Sequence, residues 1–268
     1  MNSDDKTKQE HVARIKALGI DVVGGDINQD APRQLATIFS DFDTIINCFG
    51  FGAPPGTQLK VANAVLASDC RRYFPWQFGI DYDIIGRDSA QDLFTEQLDV
   101  RDLLRSQERL EWVIVSTRMF VSFIFEPAFG VVNAGRDTVT ALGSWDNKIT
   151  VTAPGDIGRF TAEIALACPD VRGVVFTAGD TVSMAQIADL VEKVQGKKVQ
   201  RIEKTVAQLR SELAQDPSNG MRKYRVVFAG GVGVAWDMDT TFNRQKQIST
   251  QSVQQWAQDH LQVSAKSD

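Results

Sequence analysis

Four short apolar runs, each separated from the next by a stretch of helical spacing, limit what this chain can fold into. They are IDVV at 20–23, DTIINC at 43–48, RRYF at 71–74 and EWVIVS at 111–116. Between them, apolar residues recur at intervals of three and four, the period of an amphipathic helix. Val12, Ile15 and Leu18 share one such face, and Leu35, Ile38 and Phe39 share the next. Strands that are apolar almost throughout, alternating with helices of ten or more residues, predict an α/β chain whose doubly wound parallel sheet is covered on both faces. In the second helix Asp30 is the expected cap and Pro32 a first-turn residue, where a missing N–H does no harm. Further helices are expected from Thr57 and over 90–107.

After residue 117 the rhythm changes. RMFVSFIFEPAFGVV is aromatic and irregular, and TVTALGSWDNKITVTAP predicts two short strands around a turn at Asp146–Asn147. A helix capped by Asp156, a strand in GVVFTAG, a helix running from a Ser183 cap to Gly196, and helices over 205–214 and near 249–261 follow. Residues 1–118 are expected to form the parallel-sheet domain, with later segments near 156–203 returning to it. Residues 119–268 are expected to form a smaller α+β lobe over the C-terminal edge of the sheet.

Composition removes several classes of function. A net charge of −5 gives no electrostatic basis for binding nucleic acid or an anionic membrane. No apolar run reaches the 18 or so residues of a membrane span, and MNSDDKTKQE has no apolar core of a secretory leader. Cys48, Cys70 and Cys168 are widely spaced and odd in number, which suits a reducing cytoplasm and argues against a disulfide framework or zinc site. The two histidines, His11 and His260, lie near opposite ends in polar segments, so neither a His-based triad nor a catalytic metal is expected. Any chemistry falls to carboxylates, Tyr, Lys, Ser/Thr or a cofactor.

In a doubly wound sheet, ligands bind beyond the C-terminal strand ends. Four such ends stand out: Gly24–Gly25–Asp26, Cys48 to Gly56, Pro75 to Gly79, and Ser116–Thr117–Arg118. In YFPWQFG, Trp76 and Phe78 offer surfaces for a planar ring and Gln77 a polar handle, and Phe120, Phe123 and Phe125 extend the aromatic character. A glycine-rich pyrophosphate turn of the GxGxxG kind, which places phosphate at a helix N-terminus, does not precede Gly19. The cluster VVFAGGVGVAW at 226–236 superficially follows a strand, but no apolar helix comes after it, so Gly230, Gly231 and Gly233 are expected in a loop of the smaller lobe.

GIDVVGGDIN, DFDTIINCFGF, QLKVANAVLASDCRRYFPWQFGIDYD, EQLDVRDLLRSQ, EWVIVSTRMF and VTAPGDIGRFTAEIAL together resemble the NmrA-like family. This is the atypical short-chain dehydrogenase branch that also holds isoflavone reductases and phenylcoumaran benzylic ether reductases. YFPWQFG and LFTEQLDVRDLL look like its fungal members, and the resemblance runs from about Glu10 to about Val206. It implies a Rossmann-like, NADP(H)-binding domain with a small substrate lobe. By position, Cys48, Phe49 and Gly50 would line the adenine and ribose side, with Asp26 at its edge. Phe74, Pro75, Trp76 and Gln77 would lie by the nicotinamide, and Met119, Phe120 and Phe123 with Phe78 would face a small-molecule substrate.

Two departures accompany it. The family opens with a strand, a GxxGxxG turn, a helix and a second strand that selects NADP over NAD; that unit is absent here, so an N-terminally incomplete sheet with exposed edges is expected. The plant reductases carry a lysine in the pattern Lys-x-x-(Val/Ile)-Arg, where this chain has Gln97-Leu98-Asp99-Val100-Arg101. An amide does not titrate near neutrality, which leaves Tyr82, Asp81 and Asp99 as candidate proton donors or acceptors. The resemblance implies reduction or isomerisation of an aromatic or polyketide intermediate of fungal secondary metabolism. Its alternatives are a non-catalytic NAD(P)-sensing or partner-binding regulator, and a non-redox cyclase or isomerase on the same fold.

Overall fold

The computed structural model describes residues 6–50 and 52–261. In chain order the first half contains α1 (Lys6–Ala17), α2 (Pro32–Phe39), β1 (Thr44–Ile46), α3 (Thr57–Leu66), β2 (Arg72–Phe74), α4 (Tyr82–Ile85), α5 (Leu93–Arg105) and β3 (Glu111–Ser116). Next come β4 (Met119–Phe120), α6 (Val121–Ile124), β5 (Thr138–Leu142), β6 (Lys148–Thr152), α7 (Pro154–Leu166) and β7 (Gly173–Phe176). The chain continues through β8 (Asp180–Ser183), α8 (Met184–Gln195), β9 (Gln200–Lys204), α9 (Val206–Gln215), α10 (Gly220–Ala229), α11 (Phe242–Gln245) and α12 (Val253–Leu261).

The main sheet is wholly parallel, in the order β1-β2-β3-β7. Because side chains alternate across a strand, neighbours in β2 serve opposite faces. Tyr73 packs with Val61 and Val65 of α3 and Val100 and Leu104 of α5, while Phe74 packs with Val113 and Val115 of β3 and Ile157 and Ile164 of α7. Each such fully buried aliphatic side chain contributes about 1.5–3 kcal/mol of transfer free energy. Arg72 ties the layer together. Its guanidinium donates to the carbonyls of Ile164, Ala165, Cys168 and Val171, answering the orphan acceptors at the C-terminus of α7.

The remaining strands form two small sheets, β4-β6-β8 and β5-β9. Of the segment 156–203, α7 and β7 pack on the main sheet, whereas β8 and β9 belong to the small sheets and α8 packs in the core beside them.

EWVIVS forms β3 over its full length, and α8 begins and ends where expected. Ser183 Oγ accepts from Gln186 N while the Gln186 amide returns to Ser183 N, and Gly196 closes the helix at φ 65°. Ser183→Ala is expected to cost about 1 kcal/mol, read as a lower urea midpoint at unchanged slope.

Other expectations are corrected. IDVV is not a strand: residues 20–26 are irregular, and Ile20 and Val23 are 53% and 56% exposed. A strand needs a neighbour, and no described strand pairs with this segment. For the same reason α1 buries none of its face, and β1 is an edge strand with Thr44 and Ile46 exposed. Asp30 does not cap α2; Ala31 stands at the cap with Gln34 Oε1 on its N–H. Asp156 lies inside the first turn of α7, bonded to Arg159 and Gln251 N. The strands flanking Asp146–Asn147 form but do not pair with each other; β5 runs parallel to β9, and β6 pairs with β4 and β8. The VVF before the glycine cluster ends α10 and is helical.

Candidate active site

The site begins where β2 and β3 stop. Ser116 Oγ donates to the carbonyls of Gly79 and Ile80 at 2.9 and 3.2 Å, and Arg118 N donates to Gly79 O at 2.9 Å. These bonds fold the two strand-end loops onto each other. Gly79 is required there, because a Cβ would sit 2.3 Å from the Tyr82 hydroxyl. The loop after β1 approaches from the other side: a Cβ on Gly50 would lie 2.7 Å from the Trp76 indole. Gly233, at φ 67°, lets the glycine cluster turn so that Val234 O accepts from Thr150 N and Trp236 N donates to Thr150 Oγ1. The cluster therefore lays residues 234–236 along β6.

Between these segments lies a cavity of about 140 Å³, lined by Trp76, Phe78, Tyr82, Arg118, Phe123 and Tyr224 with their neighbours. An apolar cavity of roughly 150 Å³ elsewhere holds a benzene ring, so the enclosed part fits one flat ring. Of the sequence-predicted residues, Trp76, Phe78, Tyr82, Met119, Phe120 and Phe123 converge on this cavity.

The others do not line it. Phe74 is fully buried core beneath α7, and Pro75 is also buried. Gln77 is fully buried with its amide committed to α5, Nε2 to Gln97 O and Oε1 to Arg101 Nε, both at 2.8 Å, so it is no handle for a ligand. Asp26 closes an exposed turn, its Oδ1 accepting from Asn28 N and Gln29 N. Cys48 is exposed; Phe49 stands above Gln58, whose amide donates to its carbonyl.

Among the candidate proton carriers, Gln97 is buried, and its Oε1 has no partner among the described residues. Asp99 pairs with Arg87 at 2.5 Å. Asp81 caps α4 and lies 3.8 Å from Arg101. Burial pushes the Tyr82 phenol far above its usual range, so at neutral pH it is a hydroxyl only.

Sequence reading placed Arg118 at a strand end facing the crevice without giving it a role, and passed over Tyr224 and Phe228. The last two stand four residues apart on α10, a helical spacing that was legible. Arg118 is buried, with φ 64°, a conformation that costs a non-glycine residue about 1–2 kcal/mol. Burial pulls its guanidinium down to about 9, against an opposing attraction from Asp81.

The fold matches solved reductases. The crystal structure of an isoflavone reductase superposes with a TM-score of 0.80 at 19% identity, covering 97% of this chain and 87% of that one. A leucoanthocyanidin reductase–NADPH complex from Vitis vinifera gives 0.79 at 18%, covering 96% and 87%. The class is thus an α/β fold built on a parallel sheet, shared with these reductases. The chain belongs to the NmrA-like family, whose profile matches residues 3–241. An NmrA-like family domain-containing oxidoreductase of Gibberella moniliformis is 44% identical over 264 residues, 97% of this chain and 85% of that protein. An isoflavone reductase homolog of Arabidopsis thaliana is 25% identical over 223 residues, covering 80% and 70%.

Against the dinucleotide that the family implies, the residues fit at one end only. Trp76 over Gly50 offers a ring surface. The helix after the turn at 52–56 has its N-terminus already filled: Glu96 of α5 accepts from Gly56 N, Gln58 N and Leu59 N at 2.9, 2.7 and 3.1 Å. A pyrophosphate finds no cradle at that turn.

Proposed function

We propose that this protein is an NADP(H)-dependent NmrA-like reductase acting on a small, flat aromatic or polyketide intermediate of secondary metabolism. In this reading residues 1–118 form the cofactor half and 119–268 the substrate lobe. The observation that supports it is the aromatic cavity beyond the C-terminal ends of β2 and β3, where a doubly wound sheet binds its ligands. Trp76, Phe78, Phe120 and Phe123 hold the ring and exclude water; excluding water strengthens every polar contact made inside. Gln97 transfers no proton. Tyr82, held as a hydroxyl, acts as a hydrogen-bond donor to a substrate oxygen.

NADPH is expected to quench tryptophan fluorescence on titration and to be oxidised, read at its nicotinamide absorbance, when a flat aromatic ketone or quinone is added. Absence of NADPH binding sinks the reading. Phe123→Ala is expected to raise KM about tenfold or more with a smaller change in kcat, since losing a packed ring removes about 1.5–3 kcal/mol of apolar contact from ground and transition state alike.

Glu96 on the α3 N-terminus and the amide at Gln97 favour a second reading, a non-catalytic dinucleotide-sensing or partner-binding member. A stable protein complex recovered together with zero turnover supports it over the first.

A further inference from the structure

Ten large apolar side chains are exposed among the described residues, and six of them, Ile15, Leu18, Ile20, Val23, Phe42 and Ile46, lie between residues 15 and 46. They belong to two surfaces that fit each other. The first is on the main sheet. Parallel register puts Thr44 and Ile46 of β1 on the same face as Arg72 and Phe74 of β2. There α7 covers Phe74 through Ile157 and Ile164, but over β1 the helix layer stops: Thr44 and Ile46 are exposed, with Phe42 beside them just before the strand. The second surface is on α1, whose Val12 and Ile15, continued by Leu18 at 76% exposure, form a stripe at intervals of three. α1 buries no residue, and a helix of its length without packing is marginal in water. The chain therefore carries a strand face lacking a helix and a helix lacking a surface to cover.

We propose that these surfaces meet across a twofold axis between two copies of this chain: α1 of each copy lays its stripe on the Phe42–Ile46 face of the other, beside α7. Charge selects this occupant. α1 carries Lys6, Lys8, Arg14 and Lys16 against Glu10, and these cations form no ion pair among the described residues. Residues 21–43 carry Asp21, Asp26, Asp30, Asp41 and Asp43 against Arg33. Asp41 is exposed, and Asp43 makes an exposed pair with Arg71. Arg14 and Lys16 flank Ile15 as Asp41 and Asp43 flank Phe42, so the α1 of a second copy brings cations to these carboxylates while its stripe covers the ring. A twofold axis makes the contact twice. α1, the segment 18–26 and residues 41–46 supply about 25 residues a side, the size of a stable protein interface. Extended, the segment 18–26 spans up to about 30 Å, enough for α1 to reach a neighbouring copy.

The test is sedimentation velocity on the full chain from about 1 to 100 μM, a range that brackets an interface of this size and modest affinity. The wild type is expected to sediment as a dimer at the upper end. Leu18→Ser and Phe42→Ser change exposed positions and leave the core untouched. Each is expected to weaken association about tenfold or more, since an apolar contact is lost on both sides of the axis. Two charge-reversed chains give the decisive comparison, one with Arg14→Glu and Lys16→Glu, the other with Asp41→Lys and Asp43→Lys. Each alone is expected to stay monomeric, because its helix meets like charge on the strand face of a second copy. Mixed in equal amounts they are expected to form a one-to-one dimer, because both contacts of the twofold become complementary. A wild type that stays monomeric throughout overturns the proposal and leaves the face to α1 of the same chain or to another protein. A charge-reversed chain that dimerises as well as the wild type overturns it too, as does a mixture that stays monomeric.

Discussion

Arg101→Met is expected to lower the unfolding free energy by about 1.5–3 kcal/mol, the range for hydrogen bonds to a charged group, since Asp83 keeps solvent and Arg105. Arg101 is fully buried in α5 and holds three elements at once. Its Nη1 lies 2.6 Å from Asp83 Oδ2 and 3.8 Å from Asp81 Oδ1, and its Nε donates to Gln77 Oε1 at 2.8 Å. Its guanidinium also sits 5.2 Å from the centroid of the Tyr82 ring. Methionine fills the volume but leaves Gln77 Oε1 without a donor and Asp81 with a weaker field. For a chain of this size each kcal/mol moves Tm by about 2–4 °C, so a loss of about 3–12 °C is expected in thermal unfolding. A shift under 2 °C would show that water takes over these contacts.

The same cluster sets an acid limb. The hydrogen bond from Arg105, then the charge and hydrogen bond of Arg101, hold Asp83 down at about 2 from its ordinary 3.8. A carboxylate with a depressed folded pKa contributes stability that is present above the unfolded value and lost as pH falls toward the folded one. The wild type should therefore lose stability between about pH 4 and 2. Arg101→Met should show a shallower slope there, flattened but not abolished because Arg105 still contacts Asp83 at 2.7 Å. Asp83 is over a third exposed, so solvent weakens the effect. Unfolding midpoints across this window measure it.

These contacts mark where sequence reading stops. β3 and α8 were legible because a β-branched apolar run and a Ser-x-x-Gln cap specify their own local geometry. The aromatic wall was legible because YFPWQFG and RMFVSFIF carry it on consecutive residues. IDVV had the right composition and failed, because strand formation is decided by a neighbour far away in the chain. Gln77 looked like a free amide until the fold placed Arg101 and Gln97 O against its two ends. Arg118 was read as part of a strand end and given no role of its own. Its burial and positive φ come from the fold, and neither is a property of residue type. Tertiary pairing, more than propensity, separated what could be read from what could not.

Glu96→Ala is expected to cost about 2–3 kcal/mol, and the way it is rescued tests what the α3 N-terminus can hold. α3 starts from Gly56 at φ 87° with no side-chain cap of its own, so the carboxylate of α5, about forty residues on, receives its first N–H groups. Hydrogen bonds to a charged group contribute about 1.5–3 kcal/mol, and a negative charge at a helix N-terminus adds roughly 0.3–1. Glu96→Gln keeps an acceptor oxygen without the charge and is expected to lose only about 1 kcal/mol, chiefly the charge-dependent part. Removing the carboxylate altogether frees Gly56, Gln58 and Leu59 N–H as an anion site. Inorganic phosphate should then restore more stability to Glu96→Ala than to the wild type at matched ionic strength in chloride, a difference that the general salting effect on burial does not produce. If phosphate acts equally on both, the turn offers no anion geometry even when vacated. A selective rescue would instead show that one acidic side chain from α5 keeps phosphate away from the N-terminus of α3.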